Sequence, residues 1–204
     1  MPKDHPFNLA YDNFVNVFGD EGNLLIIAVN DSSLFEKNNF NSWINLSRSF
    51  ENKTEVNSVI HVGNIPVISK NTINKQFIVD SIVNNSFKND FKVNEFKTTL
   101  FTDFPFYDNI LFNKKSETIQ TAIYLNKNVV NNVERIDFIN KDFIPLIKEF
   151  ERVTNLNVRI SGMPYIRTMN AQNIMDEIGK FVVIAIFVTI FIFFFFFRSY
   201  RATL

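Results

Sequence analysis

Residues 181–197 (FVVIAIFVTIFIFFFFF) form an unbroken apolar run without a charge, in which Thr189 is the only polar side chain. As an α-helix, 17 residues rise roughly 25 Å, slightly short of a ~30 Å hydrocarbon core. Ile174, Met175 and Ile178 supply the missing turn, and Lys180 can extend its ammonium toward the headgroups. The competing assignment is a buried core helix, but core helices in domains of this size carry a polar edge and this run has none. The run therefore predicts a membrane span beginning at Phe181 and ending at Phe197. Arg198 and Arg201 follow it directly, whereas Asp176 and Glu177 precede it with only Lys180 nearby. Basic flanks stay in the cytoplasm, so Arg198 and Arg201 are expected as the cytoplasmic anchor and residues 1–175 outside. Met1-Pro-Lys-Asp-His5 has no apolar stretch and cannot export that domain. The expectation is that the chain is a piece of a larger protein whose preceding helix does so. The alternative is a tail-anchored protein that violates the charge rule.

The remaining composition excludes more than it assigns. Twenty-one basic and 21 acidic side chains give zero net charge, which removes the electrostatic case for nucleic acid as a partner. Without cysteine there is no disulfide, zinc-thiolate site or thiol nucleophile. Five glycines form no phosphate-cradling motif and no nucleophile elbow. His5 falls in the N-terminal linker and His61 in an expected strand, so the two do not suggest a shared metal site. Asp20 and Glu21 read as a solvated turn after a helix cap. The sequence thus suggests no enzyme and names no catalytic, cofactor-binding or metal residue.

Upstream of the span, periodicity predicts an α+β domain. Phe7, Ala10, Tyr11, Phe14, Val17 and Phe18 give a helical face ending at Gly19. Residues 23–30 (NLLIIAVN) read as a central strand covered on both faces. Phe40, Trp43, Ile44, Ser47 and Phe50 follow helical spacing, and residues 56–62 alternate as a strand. Between Pro66 and Pro105 the pattern is weaker, with a strand over 76–83 and a short helix through Val93, Phe96 and Leu100. Residues 109–112 and 118–125 flank a polar loop as a hairpin. Ile136, Ile139, Phe143, Ile147, Phe150 and Val153 define a helix that Pro145 must delay or kink, and 157–160 closes the domain as a strand. Two β-α-β units of this kind suggest a ferredoxin-like sandwich with helices on one face of a mixed sheet. From about Thr168 one helix could run unbroken into the membrane.

Several stretches in this order resemble the resistance-nodulation-division (RND) superfamily of transporters. They are Phe18-Gly19 followed by Asp20-Glu21 and LLIIAV, then Ser161-Gly162-Met163-Pro164-Tyr165, then the helix ending Phe197-Arg198-Ser199-Tyr200-Arg201. The resemblance is to the branch of exporters for lipids and other hydrophobic molecules. It implies an extracytoplasmic (periplasmic) porter domain over 1–168, a linker helix continuing into the membrane over 169–197, a cytoplasmic end at 198–204, and residence in the bacterial inner membrane. It further implies the lipid bilayer, a lipid or hydrophobic substrate, further membrane helices and a second porter domain as partners, with homo-oligomers possible. Proton coupling in such a transporter needs intramembrane carboxylates, which 181–197 does not supply, so the relay is expected on later helices. A continuous helix could then act as a lever between membrane and domain. The rival classes are a single-pass, extracytoplasmic binding or sensor module and an anchored enzyme. A cysteine placed at Ser199 should resist an impermeant thiol reagent in the exported protein while one at Ser116 reacts; the reverse pattern would refute the orientation.

Overall fold

The computed structural model describes residues 5–7, 10, 13, 21–71, 76–83 and 86–197. Most of the expected opening helix, including Tyr11, Phe14, Val17 and Phe18, and its cap at Gly19 lie outside these residues, as do Arg198 and Arg201. The chain divides into two compact units, Met1–Tyr165 and Ile166–Leu204.

The first unit is α+β. Its elements are β1 (Leu24–Val29), α1 (Lys37–Glu51), β2 (Val56–Ile60), β3 (Pro66–Asn71), β4 (Gln76–Ser81), α2 (Asp90–Asp103), β5 (Phe112–Asn113), β6 (Thr118–Leu125), the short α3 (Lys127–Val130) and α4 (Val133–Phe138), α5 (Ile144–Thr154) and β7 (Arg159–Ser161). The main sheet runs β2-β6-β1-β7, with β5 beside β6. Each of its strand pairings is antiparallel, which corrects the expected mixed sheet. β1 and β2 are parallel to one another, but β6 lies between them and is antiparallel to both. β3 and β4 form a separate two-stranded ribbon, in which β4 answers to the strand expected over 76–83 and β3 was not expected.

Alternation in β1 and β6 builds the core face. Leu25, Ile27 and Val29 are buried, and their register partners Ile123, Thr121 and Ile119 are buried opposite them. The intervening Leu24, Ile26 and Ala28 are only half-buried, so β1 is central without being fully covered on both faces as expected. α1 packs on the core face through Phe40, Trp43, Ile44, Leu46, Ser47 and Phe50, a stripe repeating every three or four residues. At roughly 2–3 kcal/mol for each large apolar side chain removed from water, this stripe is a major stabilising contribution. Phe96 of α2 meets Phe40 at 5.4 Å, and Phe150 of α5 meets Trp43 edge-on at 5.5 Å, so both helices pack on α1.

The helix expected through Pro145 is divided. Five residues of π-helix, Ile139–Phe143, precede α5, and the Ile144 N–H reaches back five residues to the Ile139 carbonyl. Proline has no N–H and its ring crowds the carbonyl four residues back, so a widened turn just before it accommodates both. Asn155, in the left-handed conformation at φ 60°, ends α5. Val153, expected in the core, is 60% exposed.

The second unit is dominated by α6 (Met163–Phe197), which begins five residues before the expected start at Thr168. It is the one helix among the described residues long and apolar enough to cross a membrane, and its apolar window is unburied, unlike the core helix of a soluble protein.

Ser47 Oγ and Thr121 Oγ1, both fully buried, lie 2.8 Å apart and join α1 to β6. Ser47→Ala should cost about 1–3 kcal/mol in chemical denaturation because it leaves the Thr121 hydroxyl buried without that partner. Ser47→Ala combined with Thr121→Val should lose less than the sum of the two single changes. Strict additivity would show that the hydroxyls are not coupled.

Candidate functional site

Two helical ridges face one another on the outside of the helical layer. From α1 come Ser42, Asn45, Leu46 and Ser49, and from α5 come Leu146, Glu149, Phe150 and Val153, each set at three- and four-residue steps. Between them is an open groove of about 240 Å³ whose floor is apolar. Its wall is fixed from beneath, because Phe150 is held by its edge-on contact with the fully buried Trp43. The rim is polar but mostly self-satisfied. Ser49 Oγ donates to the Leu46 carbonyl at 2.7 Å. Arg152 donates to both oxygens of Glu149 at 2.6 and 2.9 Å, and these bonds hold the Glu149 carboxyl below the usual carboxylate range, keeping it ionised near neutrality. Such a groove can hold an apolar segment by burial, with direction given by the rim. At this volume it fits part of an acyl chain rather than a whole drug-sized molecule.

Two further clefts among the described residues are more polar. One is lined by Ser33, Glu36, Asp90, Asn94 and Lys97. The Lys97 ammonium sits 4.3 Å above the Phe35 ring and 2.8 Å from Glu117, so its charge is already matched. Another, beside β5 and β6, is lined by Asn109, Asn113, Ser116, Thr118 and Gln120. Neither brings a nucleophile and a base together.

The two histidines are in different surroundings. His5 stacks on Phe7 with ring centres 5.4 Å apart. His61 lies one residue beyond β2, in a turn rather than the expected strand, and is 1% exposed. Its Nδ1 accepts from the Gly63 N–H at 3.0 Å, and its Nε2 faces Glu51 Oε1 at 3.2 Å. Burial pushes the imidazole below the ordinary histidine range, only partly opposed by Glu51.

Among the residues singled out in the sequence, Phe181 is exposed within α6 and Phe197 is its last residue. Glu21 opens a one-turn 3₁₀-helix, while Asp20 lies outside the described residues. Gly162 has a local structural reason: it links β7 to α6 at φ 125°, and a Cβ there would fall on the Leu24 carbonyl oxygen and within 2.9 Å of Leu25 Cα. The groove residues were missed in the sequence because Ser42, Asn45 and Ser49 read as an ordinary solvated face; the one available signal was Val153, an apolar position that widens the stripe of α5. No protein-family model and no curated protein matches the chain.

Gly162→Ala should destabilise the folded domain by about 2 kcal/mol or more, since backbone conformation and steric fit both oppose it. Gly179→Ala, where an added Cβ meets nothing within 4 Å, should be neutral or stabilising by up to about 1 kcal/mol through helix propensity. Equal effects in thermal melts would contradict this account of Gly162.

Proposed function

We propose that the chain is the porter domain and following membrane helix of an RND-type exporter of lipids or other hydrophobic molecules. The observation that carries the reading is α6, a single helix that follows β7 after Gly162 and ends in an unburied apolar half. The strand order β2-β6-β1-β7, with β6 between the parallel β1 and β2, supports a ferredoxin-like domain of the porter type. On this reading the α1/α5 groove is the capture surface, its apolar floor accepting part of an alkyl chain. The domain faces the extracytoplasmic side of a bacterial inner membrane, and Arg198 and Arg201 hold the cytoplasmic end. The chain supplies capture and a mechanical connection, while proton coupling belongs to carboxylates on other helices of the transporter. α6 suits the connecting role, since it has no proline after Pro164 and no charge beyond Lys180.

Reconstituted by itself in liposomes with an imposed pH gradient, the chain should move no substrate. The complete transporter should do so and should lose the movement when an intramembrane carboxylate is neutralised. Gradient-driven transport by the isolated chain would overturn the proposal; a complete protein that binds but never transports would favour an anchored binding module. Val153→Asp should weaken capture of an apolar fluorescent probe such as N-phenylnaphthylamine about tenfold, equivalent to ~1.4 kcal/mol, without changing the melt. Unchanged probe affinity would remove the groove from the capture role.

A further inference from the structure

The ribbon of β3 and β4 is not part of the main sheet, and two strands alone are marginally stable in water. Phe77 and Val79, on one face of β4, are 73% and 66% exposed, so that face gains little from burial. The ribbon is instead secured at its root. The Val83 N–H donates to the Gly63 carbonyl at 3.2 Å, and the Ile82 N–H to the Ile65 carbonyl at 3.0 Å. Val62, Ile65 and Val83 are buried there. The last turn of α1 holds both sides of this root. Arg48 donates to the Val83 carbonyl at 2.7 Å, and Glu51 Oε1 accepts from His61 Nε2 at 3.2 Å and from Asn64 Nδ2 at 3.3 Å.

Both nitrogens of His61 are committed in this arrangement. Nδ1 accepts the Gly63 N–H, so the ring's single proton is on Nε2, directed at Glu51. A second proton can go only to Nδ1, where it would confront the Gly63 N–H. The backbone is also pressed against the ring: a Cβ on Gly63 would lie 2.8 Å from His61 Cε1 and 2.9 Å from Ile44 Cδ1. The charged groups facing the imidazole are Glu51, which favours protonation, and Arg48, which opposes it, both from α1.

We propose that His61 is a proton-operated latch on the β3–β4 ribbon: the neutral ring holds Gly63 and the root closed, and protonation at Nδ1 breaks that bond and releases the ribbon. The sign follows from the closed state's need for a neutral ring. Because burial lowers the proton affinity of His61 in the closed state, the latch is fully effective above the ordinary histidine range near 6.5 and weakens as pH falls below it. If the opened ring titrates normally and the closed one stays neutral, opening at about pH 5 is favoured by up to about 30-fold relative to neutral pH.

Hydrogen–deuterium exchange of the full chain in detergent, at about pH 7.5 and about pH 5 with labelling times scaled for the intrinsic rate, tests this. Peptides covering 62–71 and 76–83 should lose protection at the lower pH by up to the same ~30-fold, while those from β1 and β6 change little. The loss should persist in His5→Gln and disappear in His61→Asn, whose Oδ1 can accept the Gly63 N–H without titrating. Uniform protection across pH in the wild-type chain, or acid opening that survives in a folded His61→Asn, would overturn the latch. Should His61→Asn not fold, His61 is still the only histidine of His5→Gln, and its ring titration followed by NMR must share its midpoint with ribbon opening. Separate midpoints would overturn the proposal equally.

Discussion

The first unit is organised by α1. Its buried stripe, with Trp43 and Phe50 fully removed from solvent, covers the alternating apolar face of β1 and β6, and Ser47 satisfies the one hydroxyl on that face through Thr121. Its remaining polar groups, backbone and side chain, then fasten the irregular chain around it. Asp90 accepts from the Lys37 N–H at 2.6 Å, supplying the start of α1 with an acceptor and a negative charge where the exposed N–H groups and dipole favour one. Asn41 makes a reciprocal pair with the Phe87 backbone at 2.8 and 2.9 Å, substituting for a strand partner. Arg48 and Glu51 do the same at the ribbon root. Removing the apolar stripe would therefore cost more than its transfer energy, because each of these attachments presupposes that α1 is in place.

This hub explains which parts of the fold were legible in the sequence. Where an element buries one face, periodicity reports it: the α1 stripe and the Val93, Phe96 and Leu100 face of α2 were legible in the sequence, and β6 was legible as the second arm of a hairpin. Of the β3–β4 ribbon only β4 was, as the strand expected over 76–83; β3 was not, because Pro66 at its start reads as a strand breaker, although an edge position tolerates it. The π turn before Pro145 was visible only as a conflict between apolar spacing and proline. The sequence located both ends of the apolar run but could not locate the groove, whose two ridges lie about a hundred positions apart and consist largely of residues that suit any wet helical face. His61 was misread for a related reason: alternation through Val59 and Ile60 continued past the point where Asn64, donating to the Val59 carbonyl at 2.7 Å, turns the chain.

α6 poses the opposite problem, since its apolar half has composition but no pattern. Its 35 residues rise about 52 Å, whereas a ~30 Å hydrocarbon core uses about 20 of them. Roughly 22 Å of helix is left before Ile178, and there it carries Arg167, Asp176 and Glu177, while Lys180, two residues into the span, can extend its ammonium to the headgroups. The charges thus fall where water or headgroups can solvate them. Within the span the one polar group is also accounted for, because Thr189 Oγ1 donates to the Ala185 carbonyl one turn earlier at 2.8 Å. With no ionisable side chain to pair and its single hydroxyl turned back on its own backbone, the span gains little from interhelical hydrogen bonds. Its association with any neighbouring helix must rest on van der Waals packing of phenylalanine, isoleucine and valine surfaces, an interaction without a preferred donor or acceptor and therefore one that can slide or rotate at low cost. The same lack of ionisable side chains leaves residues 181–197 without a titratable group for proton transfer.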